Sequence, residues 1–148
     1  MATTRVLSKE DGNLNTSSLI TTRSKLYSDI DLTFTAKPNG EIYKKRDAAA
    51  VKQAVKNLIQ TNHFEKPFLP KFGGNIREFL FELAYDDIRG DIKNNIIRAI
   101  QKYEPRAKIL KIDVNVRPDQ NSLDVTLEFQ VINTKEIVVF TTVISRLR

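Results

Sequence analysis

The second half of the chain carries the plainest pattern of apolar and polar positions. Leu110, Ile112, Val114 and Val116 fall on one side of residues 110–117, and Lys111, Asp113, Asn115 and Arg117 on the other. After a turn at Pro118-Asp119-Gln120-Asn121, the residues Leu123, Val125, Leu127, Phe129 and Val131 alternate with Asp124, Thr126, Glu128 and Gln130. A period of two predicts strands, and a clean alternation predicts a sheet with one wet face. Asn133-Thr134-Lys135 turns the chain again. Residues 137–144 then read as a third strand, apolar on both sides: Ile137, Val139 and Val143 oppose Val138, Phe140 and Ile144. Such a strand is either central in its sheet or covered by something outside this chain.

Two earlier segments repeat at helical spacing. Val51, Val55, Leu58 and Ile59 share a face that Lys52, Lys56 and Asn57 avoid, and Asp47 is placed to cap that helix ahead of Ala48, Ala49 and Ala50. Ile88, Ile92, Ile96, Ile100 and Tyr103 form the stripe of another helix. Asp86 and Asp87 stand at its head, where acidic residues suit the dipole, and Pro105 ends it. Asn75 starts a short helix between them, with Ile76, Phe79, Leu80 and Leu83 inward. Residues 27–35 also alternate, Ile30, Leu32 and Phe34 against Asp29, Asp31 and Thr33. Lys37-Pro38-Asn39-Gly40 is a turn signal, and residues 41–45 return as a second short strand. Helices ahead of a meander give an α+β fold. It combines an antiparallel sheet (the C-terminal three-stranded meander plus a short N-terminal strand) with two to three helices packed on one face.

Two segments escape this pattern. Residues 1–25 are rich in Thr, Ser, Asn and charge, and read as a flexible arm preceding a domain at 26–148. The loop after the first helix holds Phe64, Phe68, Leu69 and Phe72 among Pro67, Pro70, Gly73 and Gly74, and is expected to tuck against the core or a partner.

Composition then narrows the function. In 148 residues there is one His and no Cys, which removes thiol chemistry, disulfides and Cys-ligated metal. No apolar run approaches the roughly 20 residues of a membrane span, and the first residues lack the apolar stretch of a signal peptide. The net charge is +6. Its cations gather at Lys44, Lys45, Arg46, Lys52 and Lys56, and again along Arg89, Lys93, Arg98, Lys102, Arg106, Lys108 and Lys111, where solvated helix faces account for them. Nucleic-acid binding is disfavoured, because single-strand platforms interleave cations with exposed aromatics and most Phe here sit at core-like positions.

Candidate chemistry is thin. Phe72-Gly73-Gly74-Asn75 before a helix has the form of an anion cradle, though tight-turn glycines explain it more simply. Asp86, Asp87 and Asp91 have the residue type of acid/base or Mg²⁺ ligands, but a helix start explains them as well. His63 is a polar loop residue. No nucleophile, base and orienter assemble from these residues. Tyr103-Glu104-Pro105-Arg106 is more informative. It lies at a helix-to-strand junction, and Arg106 offers a planar fork suited to a carboxylate. The fork either meets a partner or pairs with Glu104 to shape the turn.

The strings Leu26-Tyr27-Ser28-Asp29-Ile30-Asp31, Pro67-Phe68-Leu69-Pro70-Lys71-Phe72-Gly73, Leu80-Phe81-Glu82 and Tyr103-Glu104-Pro105-Arg106 occur in that order. Together, over residues 26–147, they make the chain resemble the baseplate wedge proteins that initiate the sheath of contractile phage tails. That family also includes the sheath-initiator subunit of type VI secretion baseplates. The Glu-Pro-Arg triplet is its hallmark, and the N-terminal arm has no counterpart in the match.

The resemblance implies a structural protein rather than an enzyme, with no cofactor and no metal. It implies a place in the virion tail baseplate, assembled in the host cytoplasm, in multiple copies around the tail axis near the tube. The implied partners are other wedge proteins and the tail sheath subunit, with no membrane. The fold is implied to be similar to the interlocking domain of the sheath subunit, whose extended arms add to the initiator's sheet. Glu104, Pro105 and Arg106 are implied to anchor the subunit to the wedge. From the residues themselves, Thr142, Val143 and Ile144 in the last strand are the candidate docking edge. Some relatives carry a lysozyme-like label, but no carboxyl pair suited to glycoside hydrolysis is evident. The alternative reading is a small basic nucleic-acid-binding protein.

Overall fold

The computed structural model describes residues 27–81 and 88–146. The expected arm, Leu83 and the Asp86-Asp87 helix head lie outside them. The described chain opens with a two-stranded antiparallel hairpin, β1 (Ser28–Ile30) and β2 (Lys44–Arg46). Helix α1 (Asp47–Gln60), a short 3-10 helix (Ile76–Leu80) and helix α2 (Ile88–Tyr103) follow. The meander β3 (Ala107–Arg117), β4 (Ser122–Val131) and β5 (Ile137–Ser145) completes it, antiparallel throughout with β4 in the middle. This is the expected α+β architecture.

The two helical stripes behave as their spacing predicts. Val51, Val55, Leu58 and Ile59 of α1, and Ile88, Ile92, Ile96 and Ile100 of α2, are buried against the sheet. Leu123, Val125, Leu127, Phe129 and Val131 meet them from β4, all at 2% exposure or less. Phe129 and Phe140 touch edge to face across the β4–β5 pair, ring centroids 6.3 Å apart. Each such large side chain contributes about 1.5–3 kcal/mol on leaving water.

Four local expectations are corrected. Leu110 is 47% exposed, because a bulge between Ile109 and Lys111 inserts one residue and puts Ile109 on the inner side in its place. Residues 27–35 do not form one alternating strand. Only Ser28–Ile30 pair, and Ile30, Leu32 and Phe34 stay exposed because no described residue packs over that hairpin face. Asp47 begins α1 without capping it: its Oδ1 accepts the Tyr27 amide at 3.2 Å, tying β1 to the helix start. Asn75 likewise makes no cap bond. It sits in the left-handed region and its Oδ1 accepts the His63 amide.

The two-sided strand resolves as an edge. In β5, Val138, Phe140, Thr142 and Ile144 point into the core, and Ile137, Val139, Thr141 and Val143 point to the open face of the sheet. The loop divides in two. Phe72 packs on the core, whereas Phe64 is 83% and Phe68 101% exposed.

Candidate partner-binding surfaces

The outer edge of β5 follows from hydrogen-bond alternation. The Val131 amide donates to the Glu136 carbonyl at 2.9 Å, and the Arg146 amide to the Asn121 carbonyl at 3.1 Å. The pairing runs without interruption from Ser122↔Ser145 to Gln130↔Ile137. Backbone groups of successive residues alternate sides in an antiparallel ladder. Even-numbered residues of β5 therefore bond to β4, and residues 137, 139, 141, 143 and 145 turn their N–H and C=O groups outward. No strand lies beyond them among the described residues. Of the three candidate residues, Val143 alone offers its backbone to a newcomer. Thr142 and Ile144 face β4, and the buried Thr142 hydroxyl accepts from Gln60 Nε2 at 3.2 Å, fastening the strand to α1.

The same odd-numbered residues present Ile137, Val139 and Val143 on the open face, at 55%, 54% and 61% exposure. An exposed apolar row beside an unpaired edge is what monomeric sheets normally avoid.

The Glu104-Pro105-Arg106 corner is closed on itself. Glu104 continues the last turn of α2, its amide bonded to the Ile100 carbonyl at 2.8 Å, while its side chain is buried. Arg106 meets it with two parallel bonds, Nε to Oε1 at 2.5 Å and Nη2 to Oε2 at 2.7 Å. The guanidinium also lies 5.0 Å over the Tyr27 ring. Hydrogen bonding to Glu104 raises the Arg106 pKa further, against the opposing effect of burial. Both carboxylate oxygens are thus engaged by Arg106, through its Nε and Nη2. The Tyr27 stack was missed from sequence because 79 positions separate Tyr27 from Arg106 and no local pattern links them.

Other candidate chemistry does not assemble. Gly73 takes φ +113°, and a Cβ there would stand 2.2 Å from the Thr61 carbonyl oxygen. The Gly74 and Asn75 amides donate to Leu58 and Thr61 carbonyls, so this segment is the tight-turn clasp that seats the loop on the end of α1 rather than an anion cradle. Among the described residues no three His, Cys, Asp or Glu side chains come together as a metal site. The basic clusters are partly neutralised: Lys45 pairs with Asp31 at 3.0 Å and Lys111 with Asp113 at 2.9 Å. No helix among the described residues is long and apolar enough to cross a membrane.

Comparison with known proteins adds the following. Residues 45–136 match the family described as baseplate wedge protein gp25. The chain is 33% identical over 115 residues to the baseplate wedge protein gp25 of Enterobacteria phage T4, covering 76% of this chain and 86% of that protein. In fold it is similar to a chain of the anti-feeding prophage baseplate, solved by cryo-electron microscopy with six-fold symmetry. There the TM-score is 0.59 at 19% identity, over 84% of this chain and 88% of the other. It is also similar to the crystal structure of a proposed tail lysozyme from Geobacter sulfurreducens, with TM-score 0.58 at 20% identity, over 66% and 89%.

Proposed function

The chain belongs to the gp25 family of baseplate wedge proteins, and we propose that it joins the wedge to the tail sheath and templates the first sheath ring by strand addition. It is a structural component of the tail baseplate rather than an enzyme. The Glu104-Pro105-Arg106 corner faces the wedge, with Arg106 Nη1 reaching a partner carboxylate or carbonyl. Copies of the chain surround the tail axis near the tube.

The observation that carries this reading is the outer edge of β5, unpaired among the described residues and flanked by Ile137, Val139 and Val143. Main-chain bonds along such an edge recruit an extended segment with little demand on its sequence, and the alternate side chains beside it add apolar contact. The test is a pair of neighbouring prolines. Val143→Pro removes an outward N–H and leaves the ladder to β4 intact, so tails built with it are expected to carry the chain in their baseplates and no sheath. Thr142→Pro removes an inward N–H and is expected to destabilise the fold itself. Electron microscopy of tails and thermal unfolding of each variant separate the two. Full-length sheaths on Val143→Pro baseplates overturn the proposed docking edge.

A further inference from the structure

The loop after α1 and the last two turns of α2 border an open recess of about 100 Å³ whose charged lining is entirely basic: Lys71, Arg98 and Lys102, joined by His63. No carboxylate lines it. The ion pairs among the described residues lie elsewhere, and none includes these three cations. A place near the C-terminus of a helix accounts for Lys102, which offsets the dipole there. It does not account for Lys71, which the loop brings in, or for Arg98, a turn further back.

The walls are held in place independently of the charges. Tyr103 Oη donates to the Lys71 carbonyl at 2.8 Å, and Asn95 Nδ2 to the Gly74 carbonyl at 3.1 Å. The Phe72 and Tyr103 rings pack 5.0 Å apart, and Lys102 Nζ stands 5.0 Å over the Tyr103 ring. The cations therefore line a recess whose walls are fixed before anything enters it.

A second observation falls on the same loop. Phe64 and Phe68 both adopt positive φ, +67° and +65°, and both point into solvent. The loop closes on itself through the Phe64 amide and the Pro70 carbonyl at 2.8 Å. Bulky residues in the left-handed region are strained, and such strain persists where the presented side chain has a use. Folding of the described chain gains nothing from either phenyl ring.

We propose that this recess binds the carboxylates of an acidic segment of another baseplate protein, whose apolar residues pack on Phe64 and Phe68. The proposal rests on the family's place in the baseplate and is separate from the β5 edge. Charge complementarity favours an acidic partner. The convergence on one small recess favours a few protein carboxylates over a phosphodiester strand, which calls for a track of cations. Lys66, the next cation along the loop, is packed 4.1 Å over the Phe72 ring instead. Buried aromatic and Arg anchors are the contacts that dominate interface energies.

The experiment compares intact baseplates with the free subunit. Amine acylation is expected to label Lys71 and Lys102 about tenfold more slowly in baseplates. A carbodiimide, which joins amines to carboxyls in direct contact, is expected to link one of them to an Asp or Glu of a different protein. Arg98→Glu, an exposed position on α2, is expected to lower incorporation about tenfold with an unchanged melting temperature. Equal labelling in both states overturns the proposal, as does protection that nuclease abolishes or normal incorporation of Arg98→Glu. Baseplates that lack the chain altogether overturn the family-based placement and the pocket with it. Protected lysines beside an inert Val143→Pro leave the pocket standing and sink only the sheath edge.

Discussion

The chain contains two antiparallel pieces built from similar sequence patterns and held by different forces. In the meander, alternation places one side chain in two against α1 and α2, and the strands are fixed by apolar burial. In the hairpin β1–β2, the alternating residues Ile30, Leu32 and Phe34 face solvent. What holds it is polar. The Lys37-Gly40 turn closes through the Gly40 amide at 2.9 Å, Asp31 pairs with Lys45, and the buried Gln53 of α1 donates to the Ile30 carbonyl at 2.8 Å. Alternation states that a segment is extended. Only a covering layer turns it into stability.

The largest expected difference between the two pieces comes from removing a phenyl ring in each. Phe129→Ala in β4 empties a fully buried site against Phe140 and is expected to cost about 3–5 kcal/mol. Phe34→Ala in the hairpin is expected to change stability by no more than about 0.5 kcal/mol. Urea midpoints measure both. A cost above 1 kcal/mol or so for Phe34→Ala breaks the distinction, because it means the hairpin face is covered after all.

An intermediate effect is expected where the two pieces meet. Arg106, at the start of the meander, stacks on Tyr27 at the start of the hairpin and neutralises the buried Glu104. Arg106→Ala strands that carboxylate and is expected to cost about 1.5–3 kcal/mol in the isolated subunit. Adding Glu104→Gln removes the stranded charge and is expected to return most of the loss. Co-purification with wedge proteins then separates two roles. If Arg106 also reaches a partner, the double variant regains its melting temperature and still fails to join baseplates. Recovery of both would make the corner a purely internal brace.

What the sequence disclosed divides along the same line. The helical stripes, the order of the strands and the turns were legible because burial imposes a strict period on residues 88–103 and 123–131. Leu110 was misread because a bulge changes the phase without leaving a residue-level mark. The position of β5 was left open by its own pattern. Its outward row of Ile137, Val139 and Val143 looks central, and its unpaired edge emerges only from the pairing. At the candidate sites, Glu104 and Arg106 were legible as a pair two residues apart. Tyr27 above them and the convergence of Lys71 with Arg98 required the fold, since distant segments supply each half.

The smallest expected effect uses one kind of pair found in both pieces. Asp31 in the hairpin and Asp113 in the meander are each held below the usual carboxylate range. For Asp31 the main cause is the Thr33 amide, followed by Lys45; for Asp113 it is the hydrogen bond from Lys111. A carboxylate with a lowered folded pKa stabilises above its unfolded value, 3.8 for both, and that stabilisation is lost as pH falls through the lower folded value. The linkage sign is therefore the same at both sites, and each effect is small, although the Asp31 side chain is partly buried and that of Asp113 is exposed. The structural consequences differ. Asp31 is among the few contacts that close its hairpin, so acidification is expected to release the Thr33 amide and the β1–β2 pairing. Asp113 sits on the wet face of a strand already fixed by Ile112 and Val114 behind it. Its protonation is expected to leave the β3–β4 ladder unchanged. Amide exchange followed by nuclear magnetic resonance from about pH 6 to about pH 2 reads both at once. Loss of protection at Thr33 while Thr126 and Asn115 stay protected upholds the distinction. Simultaneous loss at Thr33 and Asn115 means that the wet-face ion pair, rather than the apolar layer, was holding β3.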